Sequence, residues 1–241
     1  MPEYSLRFPA SADEILDRRA QILAQLLHTD KLFGDIPVKG IAPETLEAML
    51  RLYDELFFDH ALRDAYGKLS VTISGRLLSA AGQFIYAKNA ARRTSKAEIR
   101  MSSDFLFRLS YGSYTLNGLT VMTPQEAFLL IFEHELIHAL ETALYGKTDH
   151  GKRFMMLAGR FFGHTAATHH LPTRKLEAAQ HGIRVGARCS FVYQEKTLSG
   201  QITYVGKTAT VMVQSATGEY RDSRGLRYTK YRVPLSQLKL K

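Results

Sequence analysis

The sequence is short of cysteine: one residue, Cys189, in 241. A lone cysteine excludes an intramolecular disulfide and any cysteine-rich zinc ribbon or finger. A reducing, cytoplasmic location is therefore the expectation. No stretch approaches the roughly 18 uninterrupted apolar residues of a membrane-spanning helix, so no membrane partner is expected. The opening Met1-Pro2-Glu3-Tyr4-Ser5-Leu6-Arg7 lacks a basic segment followed by an apolar core, the pattern of a secretory signal. Excess charge is also missing from most of the chain. Residues 1–171 carry 19 Lys+Arg against 19 Asp+Glu, whereas residues 172–241 carry 13 against 4. The whole net charge of +9 thus falls in the last 70 residues. That asymmetry points to a neutral part and a basic part with different tasks.

What is present centres on Phe132-Glu133-His134-Glu135-Leu136-Ile137-His138-Ala139-Leu140. It contains H-E-x-x-H. On a helix, His134 and His138 stack on one face, where two imidazole nitrogens can reach one metal ion. Glu135 stands one residue further round, placed to touch the water that such a site activates. The context supports a helix. Thr123-Pro124-Gln125-Glu126 supplies an N-cap, a proline at the first position and a capping box. The following 127–132 run is apolar all round, as a buried helix is. The helix is expected to end near Tyr145, with Gly146 as its stop.

A zinc site of this kind needs a third protein ligand and leaves one position for water. The pattern H-E-x-x-H-x-x-G-x-x-H fails, because Glu141 and Leu144 stand where it wants glycine and histidine. A downstream Glu ligand fails too, because no Glu lies between Glu141 and Glu177. Asp149, His150 and His164 remain. His150 is favoured, since it opens the next predicted helix (151–162) in a polar turn that an antiparallel helix pair would bring back to the motif. His164, beside Thr168-His169-His170, reads as surface or linker. Asp149 reads as a residue that orients a ligand or caps the helix.

The rest of the neutral part reads as scaffold. Amphipathic helices are expected over 13–28 and 43–62, separated by a loop over 30–43. Strands are expected over 69–74, 81–87 and 97–102, forming a short antiparallel meander. Residues 104–122 are ambiguous, broken by Gly112 and Gly118. Residues 166–181, with Pro172, read as a linker that includes a short helix over 173–179. Residues 182–241 read as about five short strands (183–193, 198–205, 208–213, 228–233 and 235–238), a small SH3-like or Tudor-like barrel. Within it, Arg221, Arg224, Arg227, Tyr228, Lys230, Tyr231 and Arg232 interleave aromatic and basic side chains. That mixture suits phosphate contacts and base stacking, so DNA is the expected partner.

His134-Glu135-x-x-His138-Ala139, followed by His150-Gly151-x-x-Phe154, resembles the SprT-like, Spartan-related zinc metalloprotease family. Leu52-Tyr53-Asp54-Glu55-Leu56-Phe57-Phe58 is similar to that family's upstream helix, and Ser74-Gly75-Arg76 with Ala80-Ala81-Gly82 to its hairpin. The resemblance covers roughly residues 43–165. It implies one zinc ion held by His134, His138 and His150, catalysis by Glu135, and cleavage of proteins bound or crosslinked to DNA. The chain departs from the pattern in having no tryptophan on the upstream strand and no cysteine-rich ribbon.

The expected architecture is therefore α+β: a zincin-like helical metalloprotease domain over 1–165, with an N-terminal helical extension over about 1–42, and a basic barrel over 182–241. The expected function is a zinc endopeptidase acting on protein substrates, nucleoid-associated if the barrel targets DNA. Two rivals stand beside it: a nucleic-acid-binding protein with a structural or vestigial zinc site, and a metallopeptidase that the barrel recruits to protein partners. The sequence says nothing about oligomeric state.

Overall fold

A computed structural model describes residues 6–35, 40–89, 94–109, 111–168, 171 and 178–240. The chain divides into two compact units, Met1–Leu171 and Pro172–Lys241. Among the described residues, no helix is long and apolar enough to cross a membrane.

In the first unit, helix α1 (Ala12–Thr29) starts where the Ser11 hydroxyl accepts the Glu14 N–H. A short α2 (Lys31–Gly34) follows, within the stretch expected to be loop. Asp30 ties this connection down: its carboxylate accepts from Phe33 N–H, Ala42 N–H and the Thr45 hydroxyl. The single helix expected over 43–62 is two, α3 (Pro43–Phe58) and α4 (Ala61–Tyr66). The break lies at Asp59 and His60, both in the left-handed region with φ of 50° and 67°. Asp54 enforces it by accepting the N–H groups of Leu62 and Arg63 at 2.8 and 3.0 Å, which starts α4 in a new direction.

Strands β1 (Leu69–Ser74), β2 (Gly82–Asn89) and β3 (Thr94–Ser102) form one sheet, but not a meander. The order is β1-β3-β2, with β1 parallel to β3 and β2 antiparallel to it. Ser102 explains the difference. Its N–H bonds Ala81 O at 2.8 Å and its hydroxyl bonds Leu77 O at 2.5 Å, so the β1–β2 connection crosses the end of β3 instead of turning back. β3 is then central, and Ile99 and Met101 on it are fully buried. Next come α5 (Ser103–Leu106) and a hairpin of β4 (Tyr114–Leu116) and β5 (Leu119–Val121). Asn117 and Gly118 make its two-residue turn, both with positive φ, as that turn type demands.

Helix α6 (Pro124–Tyr145) runs through the core of this unit. It has the expected capping box at Thr123 and Glu126 and a left-handed Gly146 at its end. Phe128 to Phe132, Leu136, Ile137, Ala139 and Leu140 are all buried on it. Helix α7 (Lys152–Phe162) packs against it through Phe154, Leu157, Ala158 and Phe161.

The second unit is a six-stranded antiparallel sheet: β6 (Arg188–Tyr193), β7 (Lys196–Val205), β8 (Thr208–Gln214), β9 (Tyr220–Arg221), β10 (Arg227–Pro234) and β11 (Lys239–Leu240). The order is β11-β6-β7-β8-β10-β9. Its own core gathers Cys189, Phe191, Ile202, Ala209, Val211 and Val233. The first strand begins later than expected, after Gly182 and Gly186 adopt positive φ. The strand expected over 235–238 is a 3₁₀ turn following Pro234, and β9 had no forerunner in the sequence pattern. The helix expected over 173–179 lies mostly outside the described residues.

Candidate metal centre

The 3.6-residue repeat of α6 stacks His134 and His138 one turn apart, and the loop entering α7 brings His150 against them. The three Nε2 atoms converge. His134 lies 3.0 Å from His150 and 3.1 Å from His138, and His138 lies 3.1 Å from His150. The ring of Phe154, fully buried one turn into α7, packs against all three imidazoles at centroid distances of 4.6–5.0 Å. That contact gives a physical reason for a phenylalanine four residues after the third histidine.

The donor set fits a zinc ion. Tetrahedral zinc at about 2.0–2.1 Å from each imidazole spaces the nitrogens about 3.3 Å apart, and the set here is only a few tenths of an ångström tighter. The tautomer of His134 is fixed from behind. Asn117 spends its amide N–H on Leu130 O at 2.7 Å, so its Oδ1 faces His134 Nδ1 at 3.2 Å and accepts from it. His134 Nε2 then turns a lone pair toward the two neighbouring imidazoles, which a cation at that point would satisfy. Asn117 is fully buried at the tip of the β4–β5 hairpin. Asn117 lies in the stretch that the sequence pattern leaves ambiguous, and nothing there shows its reach to His134. On His138, Nδ1 meets the Thr148 hydroxyl at 2.6 Å.

Glu135, only 4% exposed, points toward β2. Burial pushes its carboxyl up to about 8, while the Phe84 backbone N–H works in the opposite direction. Gly82 makes room for it: a Cβ there would stand 2.7 Å from Glu135 Cγ and Oε1. This is a close-approach glycine whose purpose lies in another element's side chain.

Glu133 faces the other way. Its carboxylate receives Arg19 Nε and Nη2 at 2.7 and 2.9 Å, the Tyr53 hydroxyl at 2.9 Å and His164 Nε2 at 2.9 Å. Arg19 also bonds Phe162 O at 3.0 Å. His164 is thus not surface or linker: its side chain is fully buried, because Glu133 gives it a partner inside the core. Among the described residues, its Nδ1 has no hydrogen-bond partner. Asp149 is not among the converging ligands; its carboxylate accepts the Gly151 N–H in a local turn.

In the second unit, the expected nucleic-acid residues do not share one face. Alternation along β10 puts Tyr228, Lys230 and Arg232 on one side and Tyr231 on the other. Tyr231 is half-buried against Phe191 and Tyr193, with centroids at 5.4 and 5.1 Å. Register extends the exposed side: Lys230 pairs with Met212, Met212 with Gln201 and Gln201 with Arg188. Arg188, which the sequence pattern did not single out, therefore joins this face. Tyr220 pairs with Tyr228, and Lys230 Nζ lies 5.6 Å from the Tyr220 ring centre. Arg221, Arg224 and Arg227 are exposed, Arg224 in a turn built on the Asp222 carboxylate.

Fold and site together define a mixed α+β protein whose three-histidine centre takes two ligands from one buried, well-capped helix and the third from the loop that follows it. The sequence model of the SprT-like family matches residues 46–174, and the chain belongs to that family. No curated protein and no solved structure matches the chain. The family match begins after α1, so Arg19 comes from outside it.

Proposed function

We propose that the protein is a zinc-dependent endopeptidase acting on proteins bound or crosslinked to DNA. The observation that carries this reading is the convergence of three imidazole nitrogens within 3.1 Å of one another, with Glu135 buried on the helix that carries two of them. Zinc bound there would polarise the scissile carbonyl and make water a better nucleophile at neutral pH. His134, His138 and His150 would hold the ion. Glu135 takes a proton from the attacking water on its carboxylate and delivers it to the leaving amine nitrogen. Its side chain lies against Gly82 and is not among the converging ligand atoms, which suits that task better than a role as a fourth ligand would. Asn117 keeps His134 in the ligating tautomer.

Targeting falls to the exposed face of the second unit. Arg188, Lys230 and Arg232 offer charge to phosphates, and Tyr220 and Tyr228 offer rings to bases. The test uses a protein–DNA crosslink as substrate, with zinc content measured in parallel. Wild type is expected to cleave it, and Glu135→Gln to retain zinc while losing about 10²–10⁴-fold in rate. Replacing Lys230 and Arg232 together by alanine should weaken DNA retention and lower its salt slope by about two. Wild-type cleavage by Glu135→Gln would refute the mechanism, and unaltered retention by the double variant would refute the assigned face.

A further inference from the structure

One buried carboxylate beside the metal centre has no part in the reaction just described. Glu141 lies on α6 one turn beyond His138 and is 3% exposed. Both of its bonds go to the loop that carries His150. The Thr148 hydroxyl donates to Glu141 Oε2 at 2.7 Å, and the Asp149 backbone N–H donates to the same oxygen at 3.1 Å. The Thr148 oxygen is also 2.6 Å from His138 Nδ1.

Proton counting sets the direction of this chain. A hydroxyl has one proton and two lone pairs. The Thr148 proton goes to the carboxylate, so the oxygen can only accept from His138. His138 must then carry its proton on Nδ1, leaving Nε2 bare on the side where the three imidazoles meet. The bond to Asp149 acts on a second ligand, because Asp149 directly precedes His150. One side chain therefore governs the tautomer of one histidine and the placement of another.

We infer that Glu141 is a positioning residue of the metal centre, acting through Thr148 on His138 and through Asp149 on the loop that delivers His150. This rests on the metallopeptidase reading of the site. A simple tether would need only the Asp149 bond and would be indifferent to the Thr148 hydroxyl.

That difference supplies the test. Zinc affinity of the full-length chain is measured by competition with a chromophoric chelator, for wild type, Glu141→Leu, Glu141→Gln, Thr148→Val and Thr148→Ser. Cobalt(II) absorption reports the ligand geometry in each, and thermal unfolding of the metal-stripped chains reports stability. Glu141→Leu and Thr148→Val are expected to weaken zinc binding by about 10–100-fold. Glu141→Gln keeps an amide oxygen for both donors, and Thr148→Ser keeps the hydroxyl, so both should restore most of the loss. Thr148 is exposed, so its valine variant should fold normally even if Glu141→Leu does not. Wild-type zinc affinity and an unchanged cobalt spectrum in Thr148→Val would overturn the inference alone. Failure of wild type itself to bind zinc would overturn the metallopeptidase reading along with it.

Discussion

Two carboxylates sit two residues apart on α6, both buried, and the protein treats them oppositely. Glu133 points to the far side of the helix, into a nest of Arg19, Tyr53 and His164. Burial alone would raise its pKa, but Arg19 and His164 outweigh it, and its carboxyl is held below the usual range. Glu135 points toward β2, where one backbone N–H cannot offset burial, and its carboxyl rises to about 8. Depth is the same; partners differ. The first arrangement stabilises a fixed charge, and the second favours the neutral carboxyl. One helix thus holds an ion-paired carboxylate on one side and a carboxyl without a cation on the other.

The largest effect should come from breaking the anchored side. Arg19→Met leaves Glu133 buried without its main cation, which is expected to cost about 3–5 kcal/mol. Denaturant unfolding measures it, and a midpoint equal to wild type would show that the pair does not hold the unit together. Because Arg19 precedes the family match, a truncation that starts at residue 46 should lose more than this, since it also removes the buried Ile22, Leu26 and Phe33.

On the reactive side, Gly82→Ala pushes a methyl into the space that the Glu135 carboxyl occupies. Under the proposed function, displacing that group by about 1 Å is expected to lower cleavage about 100-fold while zinc content stays at wild-type level. Loss of zinc together with activity would mean that the substitution disturbs the histidines instead.

A pH series sharpens the contrast most. Glu135 has a folded-state pKa raised from 4.5 to about 8. A carboxyl with that shift favours the folded state fully below about pH 4.5, and its contribution is lost as pH rises toward 8. In the metal-stripped chain at about pH 4, Glu135→Gln should therefore match wild type within about 0.5 kcal/mol, the ordinary scatter of mild substitutions. As pH rises toward 8, the variant should become the more stable of the two. The same substitution at Glu133 should destabilise throughout, since it strands Arg19. Parallel slopes for both variants would remove the distinction between the two sides.

Much of the site was legible in the sequence because its signals are local. The cap at Thr123, the proline after it and the Gly146 stop fix α6, and a helical repeat brings His134 and His138 together wherever the helix lies. Ruling out the other third-ligand patterns left His150 among three candidates, and the tertiary contacts bring it, not Asp149 or His164, to the other two. The errors that bear most on the site are of partnership. The strand patterns for 69–74, 81–87 and 97–102 were sound, yet nothing in them told β1 to pair in parallel with β3. That depended on Ser102 seizing the connection. His164 looked like a surface residue because its reason for burial, Glu133, is 31 residues away. Tyr231 fitted an aromatic–basic pattern along the chain, but strand alternation turns it inward.

The sequence by itself determined the helix, the two histidines and the glutamate on it, and the concentration of positive charge in residues 172–241. Those follow from backbone periodicity, capping chemistry and counting, none of which needs a neighbour. The tertiary structure decided which carboxylate is anchored and which is poised, which amide and hydroxyl orient the imidazoles, and which basic side chains share a face. Those depend on distances between residues far apart in the chain. Hydrogen bonding and electrostatics act over a few ångströms of space, whatever the separation in sequence.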